Sequence, residues 1–102
     1  MRRTDSTPSG FNDTIHAPNR LRICALLDVG EEVEFAAAQQ QLGVSASVLS
    51  KHVGVLVNAG YVHQHRAVRD TRQRVWLSLT DEGRAAYRSH IAALRAIVEG
   101  GA

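Results

Sequence analysis

The sequence predicts a mainly α-helical domain that carries one small β-hairpin. Three observations lead there. Apolar residues recur at helical spacing up to Gly60, the period switches to alternation between Tyr61 and Leu79, and helical spacing returns after Thr80. With 102 residues, 44% of them apolar and 22% charged, one single-core domain is the expected size class. That composition excludes a disordered tail protein, a collagen and a disulfide scaffold, and the single Cys24 has no partner for an internal bridge. No apolar run approaches the ~20 residues of a membrane span. No apolar stretch follows Arg2 and Arg3 as it would in a signal peptide, so a cytoplasmic location is expected.

Residues 1–10 are polar and aperiodic and read as a flexible tail, leaving 11–99 as the domain. Residues 11–29 read as a broken helix. Pro18 suits a first helical turn, Ile23, Leu26 and Leu27 recur at helical spacing, and Gly30 ends the run. Glu31 to Phe35 is a brief strand or an extended link. Residues 35–42 are rich in helix formers and are stopped by Gly43. Ser45 can cap the next helix, Ala46 to Ala59, by accepting a bond from a free N–H. Its buried stripe is Leu49, Val53 and Leu56, which sets Ser47, Ser50, Lys51 and Gly54 on the opposite face. Tyr61–Val68 and Gln73–Leu79 form a two-stranded hairpin around the polar turn Arg69-Asp70-Thr71-Arg72. Thr80 caps a last helix whose first turn holds Asp81 and Glu82, where the helix dipole favours negative charge.

The total charge of +2 hides a concentration. Residues 45–75 hold Lys51, Arg66, Arg69, Arg72 and Arg74 against Asp70 alone, whereas residues 1–44 are net acidic. Such a basic segment marks contact with a polyanion. It coincides with two consecutive helices joined at Leu42-Gly43-Val44-Ser45, a helix-turn-helix candidate. In that arrangement the first helix braces the second, whose polar face enters the major groove of duplex DNA. Small side chains at 47, 50 and 54 permit close approach, hydroxyls bond bases or phosphates, and Lys51 adds charge. The hairpin carries Arg66, Arg69, Arg72 and Arg74 beside that helix, and an arginine at a hairpin tip can enter a narrow minor groove.

The segments Ala46–Val62, containing SVLSKHVGVLVNAGYV, and Asp70–Arg84, DTRQRVWLSLTDEGR, resemble the winged-helix transcriptional regulators of the MarR and ArsR type. The first is similar to a recognition helix followed by the Ala-Gly-Tyr-Val step into the wing. The second is similar to a wing with an Asp-x-Arg tip and a Leu-Thr-x-x-Gly-Arg exit. The similarity spans roughly residues 11–98. It implies a winged helix-turn-helix fold and dimeric, sequence-specific binding to double-stranded DNA. By that resemblance Ser45, Ser47, Ser50, Lys51 and His52 lie at or near the major groove, Arg69, Arg72 and Arg74 serve the wing, and Asp70 orients a wing arginine. The chain is shorter than full-length MarR proteins and is similar to the short single-domain members, so the resemblance does not carry over their pocket for an aromatic effector; a small-molecule effector is a further reading that no residue pattern in the sequence supports.

Tyr87, Ile91, Leu94 and Val98 recur at spacings of four, three and four. Such a stripe can pack within one subunit or form a dimer seam, and so small a domain offers little core to cover it. A homodimer is the expected state, with Phe11, Ile15 and Leu21 completing the seam. His63 and His65 share a strand face at metal-ligand spacing, but no Cys-x-Cys accompanies them, and no metal or other cofactor is expected. Cys24, inside Ile23-Cys24-Ala25-Leu26-Leu27, reads as a small buried hydrophobe. No Gly-rich phosphate loop, Gly-x-Ser-x-Gly or His-Glu-x-x-His occurs, so no enzyme is expected. The expected function is a DNA-binding transcriptional regulator, a repressor in the simplest case, acting on a palindromic site. A winged helix used for protein–protein interaction is the alternative.

Overall fold

The computed structural model describes residues 8–100. Its elements run α1 (Asp13–His16), α2 (Pro18–Val29), β1 (Val33–Glu34), α3 (Phe35–Leu42), α4 (Ala46–Asn58), β2 (Val62–Arg69), β3 (Arg72–Leu79) and α5 (Asp81–Val98). The expected tail therefore lies, for residues 1–7, outside the described residues, and so do Arg2 and Arg3. The break in the first helical region falls at Ala17, with Pro18 opening α2.

The helix ends follow local chemistry. The Ser45 hydroxyl accepts from the Val48 N–H at 3.1 Å and the Thr80 hydroxyl from the Gly83 N–H at 2.8 Å. α4 closes with a pair of bonds around Gly60, whose φ is +84°. The Tyr61 N–H reaches the Leu56 carbonyl and the Gly60 N–H the Val57 carbonyl, the arrangement that terminates a helix on a left-handed residue.

The expected hairpin is present, and a third strand joins it. The sheet has three antiparallel strands in the order β1-β3-β2, because Val33 pairs with Leu77 and Glu34 with Trp76. β2 and β3 pair from Val62–Leu79 to Arg69–Arg72, and Asp70 and Thr71 make the two-residue turn, both with positive φ. That is the turn geometry whose twist matches a hairpin, here carried by two non-glycine residues.

One core joins all layers. Ile23, Cys24 and Leu27 of α2 meet Ala38 of α3, Leu49, Val53 and Leu56 of α4, and Val62, Leu77 and Leu79 of the sheet. Burial, then the charge of Asp28, push the Cys24 thiol up to about 11. The thiolate that oxidation chemistry requires is therefore scarce at neutral pH. Ile15 is also fully buried within the single chain, so it belongs to this core and not to a seam between subunits.

The inward line of α5 is distinct from the stripe expected to form the dimer seam. Gly83, His90 and Ala93 face inward, while Tyr87, Ile91 and Leu94 are half-buried and Val98 is 82% exposed. His90 is fully buried. Its Nδ1 accepts the Asn12 N–H at 2.9 Å, its Nε2 lies 3.2 Å from His16 Nδ1, and the Phe11 ring packs edge-on at 4.8 Å. Burial, then His16, hold its pKa below the ordinary imidazole value, with Asp13 opposing.

The folded state thus binds fewer protons at His90 than the unfolded chain. The stability linked to this group is complete above the unfolded value of about 6.5 and is lost as pH falls below it. The melting temperature should hold between pH 8 and 7 and decline from 6.5 to 5. His90→Asn, which keeps an acceptor for the Asn12 N–H, should shrink that decline. His52, shifted in the same direction, should retain a part of it. An equal decline in wild type and variant would remove His90 from the account.

Candidate nucleic-acid interface

α4 is braced from behind by its apolar stripe, and its outer face is open. Ser45, Ser47, Ser50, Lys51 and Gly54 are exposed, as the helical spacing predicts. α3 packs across it at the turn through Gly43, a left-handed cap with φ of +68°, and Arg22 of α2 holds that turn by donating to the Leu42 carbonyl at 2.9 Å. His52 sits at the edge of the face, half-buried. Its Nδ1 lies 3.1 Å from the Arg20 guanidinium, which can only donate, so Nδ1 is the acceptor and Nε2 carries the proton. Burial, then Arg20, then Lys51 lower its pKa, so at neutral pH His52 is an uncharged donor. Arg20 lies outside the residues that the sequence analysis singled out. It lies 32 residues from His52, and only the packing of α2 on α4 brings them together.

The four hairpin arginines do not act as one group. Strand alternation and the observed register put Gln64, Arg66 and Val68 on the face of β2 that also carries the buried Val62, the side on which α4 packs. Arg69, Arg72 and Arg74 lie on the outer face with His65 and Trp76. β1 tethers two of them. Glu34 takes Arg74 through both carboxylate oxygens at 3.0 and 2.9 Å, and Glu32 takes Arg69 at 3.1 Å and His65 at 2.8 Å. Arg69 also lies over the Trp76 ring, 4.2 Å from its centroid. Arg74, expected to serve the wing, is thus held as a strut between β1 and β3. Arg66 and Arg72 are exposed, and among the described residues no carboxylate pairs with either.

Among the described residues, Asp70 pairs with no arginine. It occupies the first position of the tip turn at φ +55°, and its carbonyl accepts from the Thr71 hydroxyl. Glu32 performs the orienting task on Arg69 instead. The missing signal was the pairing of β1 with β3, which sets Glu32 and Glu34 beside the hairpin.

The His63 and His65 rings stack at 5.2 Å, but Glu32 occupies His65 Nε2, and among the described residues no cluster of three His, Cys, Asp or Glu is arranged to hold a metal. No helix among them is long and apolar enough to cross a membrane. The arrangement can present hydroxyls, one lysine and one imidazole N–H along a helix of major-groove width, with two further exposed guanidiniums on the hairpin.

Comparison with known proteins matches this geometry. A family model described as a winged helix DNA-binding domain covers residues 19–98. A transcriptional regulator homologue from Pyrococcus horikoshii superposes with a TM-score of 0.82 at 26% identity, over 85% of this chain and 86% of that one. A MarR-family transcriptional regulator from Enterococcus faecalis gives 0.72 at 25% identity, over 84% and 76%. The transcriptional repressor BigR from Xylella fastidiosa gives 0.62 at 25% identity, over 85% and 80%. No curated protein sequence matches the chain.

Proposed function

The chain belongs to the winged-helix DNA-binding domain family, and from that premise we propose that it is a sequence-specific transcriptional regulator of the short MarR-like kind, binding a palindromic duplex site as a homodimer. The observation that carries this reading is the open face of α4, with Ser47, Ser50 and Lys51 exposed, together with the exposed Arg66 and Arg72 of the hairpin. The face and its flanks are basic, as the charge of residues 45–75 requires.

The dimer rests on the outer side of α5. Tyr87, Ile91 and Leu94 are half-buried there, and Ile97 and Val98 are 49% and 82% exposed, an apolar strip of the kind a second copy covers. Phe11 and Leu21, also half-buried, border the same end of the domain in this reading. Two recognition helices about 34 Å apart would then read half-sites one DNA turn apart. The domain in this reading is 11–99, the compartment is the cytoplasm, and the role is repression, since a bound dimer excludes other proteins from its site. The likeness to BigR supports that last point. Binding, not catalysis, is the activity.

The test is selection from a pool of randomised duplexes at two salt concentrations, with the molar mass of the protein measured in parallel. Enrichment of a palindrome by a protein of twice the chain mass, with affinity falling steeply as salt rises, is expected. No enrichment at either salt would overturn the reading and favour a protein-binding role.

A further inference from the structure

The hydrogen bonds that hold α1 in place end on imidazole nitrogens. The Asn12 N–H, just ahead of α1, donates to Nδ1 of the buried His90 on α5 at 2.9 Å. His90 Nε2 lies 3.2 Å from Nδ1 of His16, the last residue of α1. On α1 itself the Thr14 carbonyl accepts from Arg20 Nε at 2.6 Å, and the same guanidinium donates to His52 Nδ1 on α4 at 3.1 Å. Short as it is, α1 ties the terminal helix to the edge of the open face of α4.

The proton positions follow from the donors. An amide and a guanidinium can only donate, so His90 Nδ1 and His52 Nδ1 are acceptors and each ring carries its hydrogen on Nε2. The His90 Nε2–H then donates to His16, which makes His16 Nδ1 an acceptor too. In all three neutral rings, the one nitrogen open to a proton is the nitrogen that makes the contact. Protonation therefore turns each acceptor into a donor that faces a donor, and between His52 and Arg20 it sets two cations within hydrogen-bond range.

Facing these rings are Asp13 beside His90, Arg20 and Lys51 beside His52, and the Tyr61 phenol, which accepts from Asn12 Nδ2 at 3.0 Å. Asp13 favours the extra proton. Burial opposes it at both rings, as do His16 at His90 and Arg20 and Lys51 at His52, which holds both below the ordinary imidazole value. Against these polar ties stands one apolar anchor, because Ile15 is the only buried residue of α1. The apolar core of α2, α3, α4 and the sheet does not depend on these bonds.

We propose that α1 is a proton-operated strap: in acid it parts from α5 and from the Arg20–His52 contact while the core beneath it stays folded. The signal is the proton itself. Resting on the proposed DNA binding, release should lower duplex affinity, because the imidazole donor at the edge of α4 loses the guanidinium that fixes it.

The test follows the backbone amides of the full chain by NMR from pH 8 to 5. The amides of residues 12–16 should shift together with the His90 ring, with a midpoint below about pH 6.5, while those of Leu27, Leu56 and Leu77 keep their positions. His52→Asn/His90→Asn offers a carboxamide oxygen in place of each Nδ1, which accepts a bond and takes no proton, and should lose most of that change. Affinity for the selected duplex should fall about five-fold from pH 7.5 to 5.5 in the wild type and not in the variant. The sign is diagnostic, because histidine protonation adds cations, which alone would tighten binding to a polyanion.

Amides 12–16 that hold their positions down to pH 5 overturn the strap. So does a change shared by the whole spectrum, which is unfolding and not release. Both results come from the wild-type chain and stand even if the variant fails to fold. A wild-type affinity that rises in acid severs the strap from α4. Binding of no duplex at either pH overturns the DNA-binding reading alone, since the amide spectra decide the strap without DNA.

Discussion

Gly83→Ala should be the most damaging single substitution in the chain, lowering stability by about 3 kcal/mol and the melting temperature by roughly 15 °C. Its Cβ would run into the Tyr61 carbonyl oxygen and stand 2.7 Å from the carbonyl carbon and 2.8 Å from the Cα. Backbone atoms cannot swing away as a flexible side chain does. The obstacle is also fixed from two sides, because Tyr61 accepts the Thr80 N–H at 3.0 Å and the Thr80 hydroxyl donates to the Gly60 carbonyl at 2.7 Å. Relief would require parting α5 from the start of β2 and losing the Thr80 cap, whose acceptor bond is to the Gly83 N–H itself. Thermal unfolding followed by circular dichroism measures the loss directly. A decrease of less than about 3 °C would show that the α5 junction yields and that Gly83 does not lock it.

The largest functional effect should come from Lys51→Ala, Arg66→Ala and Arg72→Ala combined. Each removes an exposed cation from the face or its flanks, and none removes a salt bridge among the described residues. If each cation neutralises one phosphate, the slope of log affinity against log salt should fall by about 0.9 per contact and per subunit. The triple variant should then lose duplex binding by orders of magnitude at moderate salt and still melt like wild type. Arg74→Ala is the contrasting control. It strands Glu34, which is 21% exposed, so it should cost stability while leaving the salt slope unchanged. An unchanged slope in the triple variant would place the polyanion elsewhere on the molecule.

What the sequence revealed and what it concealed divide along chain separation. The caps at Ser45 and Thr80, the stops at Gly43 and Gly60, the stripe Leu49-Val53-Leu56 and the Asp70-Thr71 turn are each decided within a few residues, and each is present. β1 was legible only as a short extended piece. Its partner Leu77 lies 44 residues downstream of Val33, and no local pattern announces that pairing. The roles of the arginines depended on the same pairing, because Glu32 and Glu34 reach Arg69 and Arg74 only when β1 lies against β3.

The inward face of α5 was not legible for a different reason. Hydrophobicity selected Tyr87, Ile91, Leu94 and Val98, whereas two neighbours of α5 are backbone segments. Tyr61 requires a glycine opposite it, and Asn12 requires an acceptor, which His90 supplies. Close approach and hydrogen bonding chose residues that an apolar count passes over. Ile15 was placed in a seam for the opposite reason: it is apolar and near the chain start, yet the short α1 folds it into the core.

Trp76 is the only tryptophan in the chain, and the Arg69 guanidinium rests against its ring. Any event that draws Arg69 away toward an anion removes a cation from the face of the one indole that dominates the ultraviolet emission. The recognition helix holds no such fluorophore. The molecule therefore carries its own optical gauge of the wing: docking through α4 alone leaves the indole dark to the event, and engagement of the wing changes its light.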